Sequence, residues 1–384
     1  MKAIINGRII TPDSVVEGKA LLFGNKIAGI VDTAAVMDEL SIEKIDAKGN
    51  YVAPGLVDVH IHGYLGEDTS DGKKDGIRTM AEGIVKNGVT SWLPTTMTVS
   101  IPEIETALDV CRELRKDSLQ PDFKGAEILG VNAEGPFINP SKKGAQAEEH
   151  IKPGDAAFLK KHQDIIRVFT IAPEMPGNLE CIREIRRDTK MQISMGHTAA
   201  TFEQAMEAIE AGVGHITHLF NAQSALQHRA PGVVTAGLTS KNVYTELIAD
   251  TFHVNAGLFQ LVADIKGDKL ILITDCTRAG GLADGEYSLG GQPIFVKGIE
   301  CRLADGTIAG SVLKLNAAVR NMMHHTDLPI WKIVRMASLN PATSIGVSET
   351  KGSLCPGKDA DIIIADDEFN IKATFIRGNI KYEC

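Results

Sequence analysis

The chain has 384 residues, 43% hydrophobic and 23% charged, a length that suits one large globular domain plus a smaller one. Its 40 basic and 49 acidic residues leave a net charge of −9, which argues against a general nucleic-acid binder but allows a local basic pocket. No apolar run is long enough to span a membrane, and six scattered cysteines with no CxxC spacing read as free thiols. Asn6-Gly7-Arg8 also interrupts any signal-peptide core, so a cytoplasmic protein with no membrane or nucleic-acid partner is expected.

Residues 1–51 read as short strands (2–5, 8–10, 20–23, 26–31) with turns at Asn6-Gly7 and Gly24-Asn25. Residues 351–384 have the same texture, with strands at 360–365, 373–377 and from 381 onward. Neither segment could bury a core alone. Together they are expected to form one small β-sandwich domain, 1–51 with 351–384, flanking a domain of residues 52–350.

The apolar run 52–59 leads into His60-Ile61-His62. Val57, Val59 and Ile61 alternate with Asp58, His60 and His62, the period of a strand, so the carboxylate and both imidazoles leave one face together. Gly63 stops that strand. A helix is then expected at 75–87, a strand at 89–96, a helix at 102–116 and a strand at 127–133. A helix at 155–162, a strand at 166–172, a helix at 179–189 and a strand at 192–196 follow. The next helix, 201–211, opens on a Thr201/Gln204 capping box. Strand 215–218, helical stretch 233–239, strand 243–250, helix 256–265, strand 270–275 and helical stretches 311–324 and 328–337 complete the series. Eight strand-then-helix units are the count of an α/β (β/α)8 TIM-type barrel. Residues 282–308 interrupt the pattern and read as an inserted hairpin.

In such barrels the chemistry sits at the C-terminal ends of several strands. Those ends carry His60 and His62, Glu134, His197, His215 and His218, His253, and Asp275. Six of the eleven histidines fall there, a clustering that chance placement would rarely produce. An isolated HxH is usually a pair of ordinary strand histidines; the later strand ends give this one its weight. His215 and His218 stand three apart and would face opposite ways on a straight strand, so His218 reads as the better ligand and His215 as structural. His150, His162, His228, His324 and His325 are expected on the solvated surface. One Glu and two His make a metal site with an open position for water, and metal-bound water can ionise near neutral pH and attack a carbonyl. A carboxylate facing it, Asp275, would serve as base and then acid. The residues by themselves point to metal-assisted hydrolysis.

This set of strand-end ligands resembles the amidohydrolase superfamily. Glu134-Gly135-Pro136-Phe137, Lys142-Lys143-Gly144-Ala145, Ile171-Ala172-Pro173-Glu174, Met195-Gly196-His197-Thr198-Ala199, His218-Leu219-Phe220-Asn221-Ala222 and Ala230-Pro231-Gly232 are similar, within it, to the N-acetylglucosamine-6-phosphate deacetylase family. The resemblance runs over nearly the whole chain. It implies hydrolysis of the N-acetyl group of N-acetyl-D-glucosamine 6-phosphate to D-glucosamine 6-phosphate and acetate, with the N-acetylgalactosamine 6-phosphate epimer as the alternative substrate. It also implies Glu134, His197 and His218 as main metal ligands, Asp275 as catalytic acid/base, and His60 and His62 as ligands of a second ion, with Glu134 bridging. Asn221, Ala222, Arg229 and His253 match contacts to the sugar phosphate, Ala145 and Gln146 lie in the Lys-Lys-Gly motif, and Ile308, Ala309 and Gly310 match a substrate-lining loop. One or two divalent ions per chain (Zn, Fe, Co, Ni or Mn) and a homodimer that completes the phosphate site follow from the same resemblance. Some members place a His where Gln146 stands; Gln can donate a hydrogen bond but carries no charge. Strand 4 ends without a Lys, so members that bridge two metals with a carboxylated Lys, such as dihydroorotases and ureases, fit poorly. A non-catalytic scaffold would be expected to have lost ligands, and all are present.

Overall fold

The computed structural model describes residues 1–384. Eight parallel strands pair in chain order: β1 (Leu56–Ile61), β2 (Val89–Thr96), β3 (Val131–Glu134), β4 (Ile166–Ile171), β5 (Gln192–Met195), β6 (His215–Ile216), β7 (Tyr244–Ile248) and β8 (Leu270–Ile273). The ring closes just beyond β8, where Ile61 and Cys276 form a parallel bridge and Asp275 N–H donates to the His60 carbonyl at 2.8 Å. A short piece, Glu127–Ile128, also pairs with β2 ahead of β3. These strands are buried on both faces, which is why Leu56–Ile61, Ile166–Ile171 and Leu270–Ile273 are rich in Val, Ile and Leu. Helices on the outside cover them, and one cluster of 78 buried residues joins strands to helices.

Helix placement follows the local signals. Ile101–Asp117 starts where Glu103 accepts the Ser100 N–H at 3.0 Å. At Phe202–Ala211 the Thr201/Gln204 box forms in both directions, at 2.9 and 3.2 Å. Residues 282–308 form a three-stranded antiparallel sheet (Gly285–Leu289, Gln292–Lys297, Glu300–Leu303) rather than a plain hairpin. Its Leu289, Ile294, Val296 and Cys301 pack with Met97, Ala145, Ala279 and Ala309 in a separate small core.

The remaining strands make two sheets. One holds Lys2–Ile5, Lys19–Phe23, Ile27–Asp32 and Glu43–Asp46; the other runs Asn379–Glu383, Ile371–Ile376, Ile362–Ala365, Tyr51–Pro54, Arg8–Ile10, Val15–Val16. Phe23 and Phe375 meet edge to face at 5.9 Å within the core between the two sheets. The division at 51/52 read from the sequence falls inside a strand: Tyr51–Pro54 pairs with Ile362–Ala365 and Arg8–Ile10, and the chain enters the barrel only after Gly55. The apolar run Val52–Val57, unbroken across Gly55, hid that change of sheet. His162 also departs from expectation. It is buried, its ring against Phe158 and its Nε2 3.3 Å from Glu105.

Candidate metal centre and active site

The side chains at the barrel mouth are placed by a run of unusual backbone. His197, His218, Phe220, Ala222 and Asp275 all adopt positive φ (47°, 30°, 80°, 50° and 50°). A left-handed residue just past a strand end turns its side chain back over the barrel, and such strain persists only where surrounding structure enforces it. It also settles the spacing of His215 and His218: β6 ends at Ile216, so His218 lies beyond the strand and faces the mouth while His215 stays in the interior. On β1, Asp58, His60 and His62 do share one face. Gly63 follows because a Cβ there would come within 2.3 Å of the Arg278 backbone nitrogen.

Six buried side chains converge. The Nε2 atoms of His60 and His62 are 3.3 Å apart, and those of His197 and His218 are 3.1 Å apart. Glu134 lies between the pairs. Its Oε1 is 3.4 Å from His60, 3.2 Å from His197 and 2.9 Å from His218, and its Oε2 is 3.2 Å from His62. Asp275 Oδ1 faces the first pair at 3.5 and 3.3 Å.

Every Nδ1 points to an acceptor. His60 donates to Glu246 Oε2 at 3.0 Å, His62 to the Thr95 carbonyl at 3.2 Å, His197 to the Lys142 carbonyl at 2.8 Å and His218 to the Asn221 carbonyl at 3.1 Å. Those acceptors hold the ring proton on Nδ1 and leave the lone pair on Nε2. Neutral rings in that state could not tolerate Nε2 atoms so close, because no hydrogen lies between them. A cation at their convergence resolves the conflict. The donor set therefore fits a divalent metal, in two groups that share Glu134: His60, His62 and Glu134, and Glu134, His197 and His218.

The carboxylates around the cluster likewise favour positive charge at this convergence. Burial would lower the His60 imidazole, but Glu134, Glu246 and Asp275 raise it to about 9. His62 is likewise raised well above its ordinary value against burial, by hydrogen bonds to Asp275 and Glu134. Burial would raise Glu134 and Asp275, yet the surrounding imidazoles hold both below the usual carboxylate range. The imidazoles that face Asp275 thus favour its carboxylate form. Deeper in the barrel, Asp58 accepts from Thr274 Oγ1 at 2.6 Å, and burial raises it to about 7.

A cavity of about 410 Å³ opens over this cluster, within the range of small-molecule sites. His62, Glu134, His197, His218 and Asp275 line it; fully buried His60 stands behind. Of the positions expected to touch substrate, Ala145, Gln146, Asn221, Ala222, His253, Ile308 and Gly310 also line it. Arg229 and Ala309 do not. Arg229 is on an exposed loop ahead of the helix Gly232–Thr239, and Ala309 is buried in the core under the inserted sheet. Gln146 is fully engaged: its amide nitrogen donates to Glu134 Oε2 at 2.7 Å and its oxygen accepts from Thr98 N–H at 2.6 Å. His253 donates through Nδ1 to Asp250 at 2.6 Å and offers its other nitrogen.

Sequence reasoning passed over two residues. Lys142 is the one Lys or Arg lining the cavity, and the Lys-Lys-Gly motif that contains it was the available signal. Glu246 is wholly buried in β7, and a carboxylate within an apolar parallel strand could have marked it.

The amidohydrolase family profile matches residues 51–381. The chain belongs to the amidohydrolase family. It is 38% identical over 379 residues to the N-acetylglucosamine-6-phosphate deacetylase of Bacillus subtilis (strain 168), covering 97% of this chain and 95% of that one. It is 35% identical over 350 residues to the N-acetylgalactosamine-6-phosphate deacetylase of Escherichia coli O157:H7, covering 90% and 92%. The crystal structure of N-acetylglucosamine-6-phosphate deacetylase from Pasteurella multocida superposes with a TM-score of 0.92 at 33% identity, covering 99% of both chains.

Proposed function

We propose that this amidohydrolase removes the N-acetyl group of N-acetyl-D-glucosamine 6-phosphate, releasing D-glucosamine 6-phosphate and acetate. One observation carries the reading: four imidazoles with outward-tied Nδ1 atoms converge on Glu134, with anionic Asp275 opposite, in a chain 38% identical to such a deacetylase over nearly its whole length. One or two divalent ions would be held by Glu134, His197 and His218 and by His60, His62 and Glu134; Zn, Fe, Co, Ni and Mn all suit imidazole and carboxylate donors. Such an ion supplies Lewis-acid polarisation of the acetamide carbonyl and acidifies water near it.

The chain's residues do the rest. Asp275 accepts a proton from the water that attacks the carbonyl carbon, then returns it to the amide nitrogen as the C–N bond breaks. Gln146 holds Glu134 in place through its amide. His253 and Asn221 border the cavity for the sugar, with the backbone at Ala222, Ala145, Ile308 and Gly310. Lys142 supplies positive charge for the phosphate from inside the cavity. Exposed Arg229 would add to it only if a second subunit closed that edge, which is how we read the dimer implied by the family resemblance. The six free cysteines suit a reducing, cytoplasmic setting.

Acetate release from the two 6-phosphate epimers, measured side by side, tests the substrate. Preference for the glucosamine form is expected. Preference for the galactosamine form would favour the second reading, which the 35% identical Escherichia coli relative supports.

A further inference from the structure

Glu246 has no exposure to solvent and lies between Thr245 and Leu247 in β7, where an unpaired carboxylate would be costly. One of its oxygens, Oε2, accepts two hydrogen bonds: from His60 Nδ1 at 3.0 Å and from the backbone N–H of His218 at 3.1 Å. Its backbone carbonyl also takes the Leu219 N–H at 2.9 Å. His60 belongs to one group of ligands and His218 to the other. Glu134 therefore joins the two groups from the cavity side, and Glu246 joins them from behind.

We infer that Glu246 is a positioning residue that couples the two metal subsites and keeps the His60/His62 subsite able to hold an ion. The two subsites depend on it unequally. The His60 ring has no partner other than Glu246 for its Nδ1 proton, so that one oxygen fixes which nitrogen faces the metal. The His218 ring is tied separately to the Asn221 carbonyl, and Glu246 steadies only the left-handed backbone beneath it. Loss of the oxygen should release His60 first. A Gln carbonyl in the same place could accept both bonds while its amide turns toward His215, whose Nδ1 stands 3.4 Å from Oε1.

The inference rests on the two-subsite reading above, and metal counting separates their failures. Wild type, Glu246→Leu, Glu246→Gln and His60→Asn are stripped, reloaded with Zn²⁺ and assayed for zinc per chain, with chelator competition for each equivalent. Wild type and Glu246→Gln are expected to keep two equivalents. Glu246→Leu should lose the equivalent that His60→Asn loses, its affinity falling roughly 10- to 100-fold with the other unchanged. Adding Glu246→Leu to His60→Asn should then change little. A wild type that takes only one equivalent overturns the two-subsite reading, and this inference with it. Two equivalents of wild-type affinity in Glu246→Leu, or equal weakening of both, overturn the role of Glu246 alone. Should Glu246→Leu not fold, Glu246→Ala, which also removes the acceptor oxygen, decides: selective weakening of the His60/His62 equivalent supports the inference, and unchanged or uniform affinities overturn it.

Discussion

Two buried clusters of charge stand at opposite ends of the barrel, and they are built on opposite plans. On the short piece Glu127–Ile128 ahead of the third strand, Glu127 meets Lys351 at 2.6 Å and Arg377 at 2.7 Å; Lys351 also reaches Asp361 at 2.8 Å and Asp359 at 2.9 Å, and Lys26 caps Asp359 at 2.5 Å. Three cations face three carboxylates, all from the chain itself; Lys351 and the carboxylates are buried, Arg377 is half-buried and Lys26 is exposed. Asp361, Glu127 and Asp359 together outweigh burial and keep Lys351 firmly charged. At the other end, the only basic side chains that Glu134, Asp275 and Glu246 meet are imidazoles, with no Lys or Arg among their partners. A balanced buried cluster pins elements together, here the barrel and the terminal sheet. An unbalanced one with convergent lone pairs is a place for an ion from outside. Charge closure within the chain thus separates scaffold from site.

The largest effect should come from withdrawing the outside ion. Chelation is expected to take deacetylation to background while circular dichroism still reports a folded barrel, and refilling should restore turnover; unfolding on chelation would break the contrast. Asp275→Asn comes next, lowering kcat roughly 10²- to 10⁴-fold with metal content unchanged. Near-normal turnover with metal bound would remove Asp275 from its role. Lys351→Met attacks the closed cluster: denaturant titration should show a loss of about 3–5 kcal/mol while zinc per chain stays at the wild-type value. Lys142→Met should raise KM about tenfold or more with kcat nearly intact, reflecting a charge-assisted hydrogen bond worth ~1.5–3 kcal/mol.

The mildest probe is pH. Protons compete with metal for imidazoles that the carboxylates raise, His60 to about 9, so apparent zinc affinity should climb with pH up to about 9 and level off above it in chelator competition. The closed cluster should not respond there. Asp359 lies below its ordinary value of 3.8. Its contribution is therefore complete above that value and is lost only as pH falls through the depressed one.

The same contrast explains what could be read from the sequence. His60, His62, Glu134, His197, His218 and Asp275 were visible because each stands at or just past the end of a barrel strand, although the left-handed turns that aim His197, His218 and Asp275 carry no such signal. Glu246 was not, because one carboxylate inside a strand read as apolar carries no spacing signal of its own. Arg229 was placed by motif, but the course of an exposed loop is not set by any period, and the structure leaves it outside the cavity. His162 misled for another reason. It follows the polar end of a short helix, yet Phe158 and Glu105 enclose it. The entry to the barrel was blurred because Gly55 sits within one apolar run, although Tyr51–Pro54 and Leu56–Ile61 serve different sheets.

The mixed sheet has a consequence for how the protein is made. Tyr51–Pro54 waits for Ile362–Ala365, and Lys2 donates to the Gly378 carbonyl 376 positions further along. At ~5–20 residues per second, a ribosome delivers those partners on the order of tens of seconds after the first strands emerge. Through that interval the early strands carry unsatisfied edges open to other chains. Translation speed and chaperone cover of the nascent chain should therefore govern yield more than the stability of the finished barrel, and shortening the last strand should reduce recovery of the whole protein.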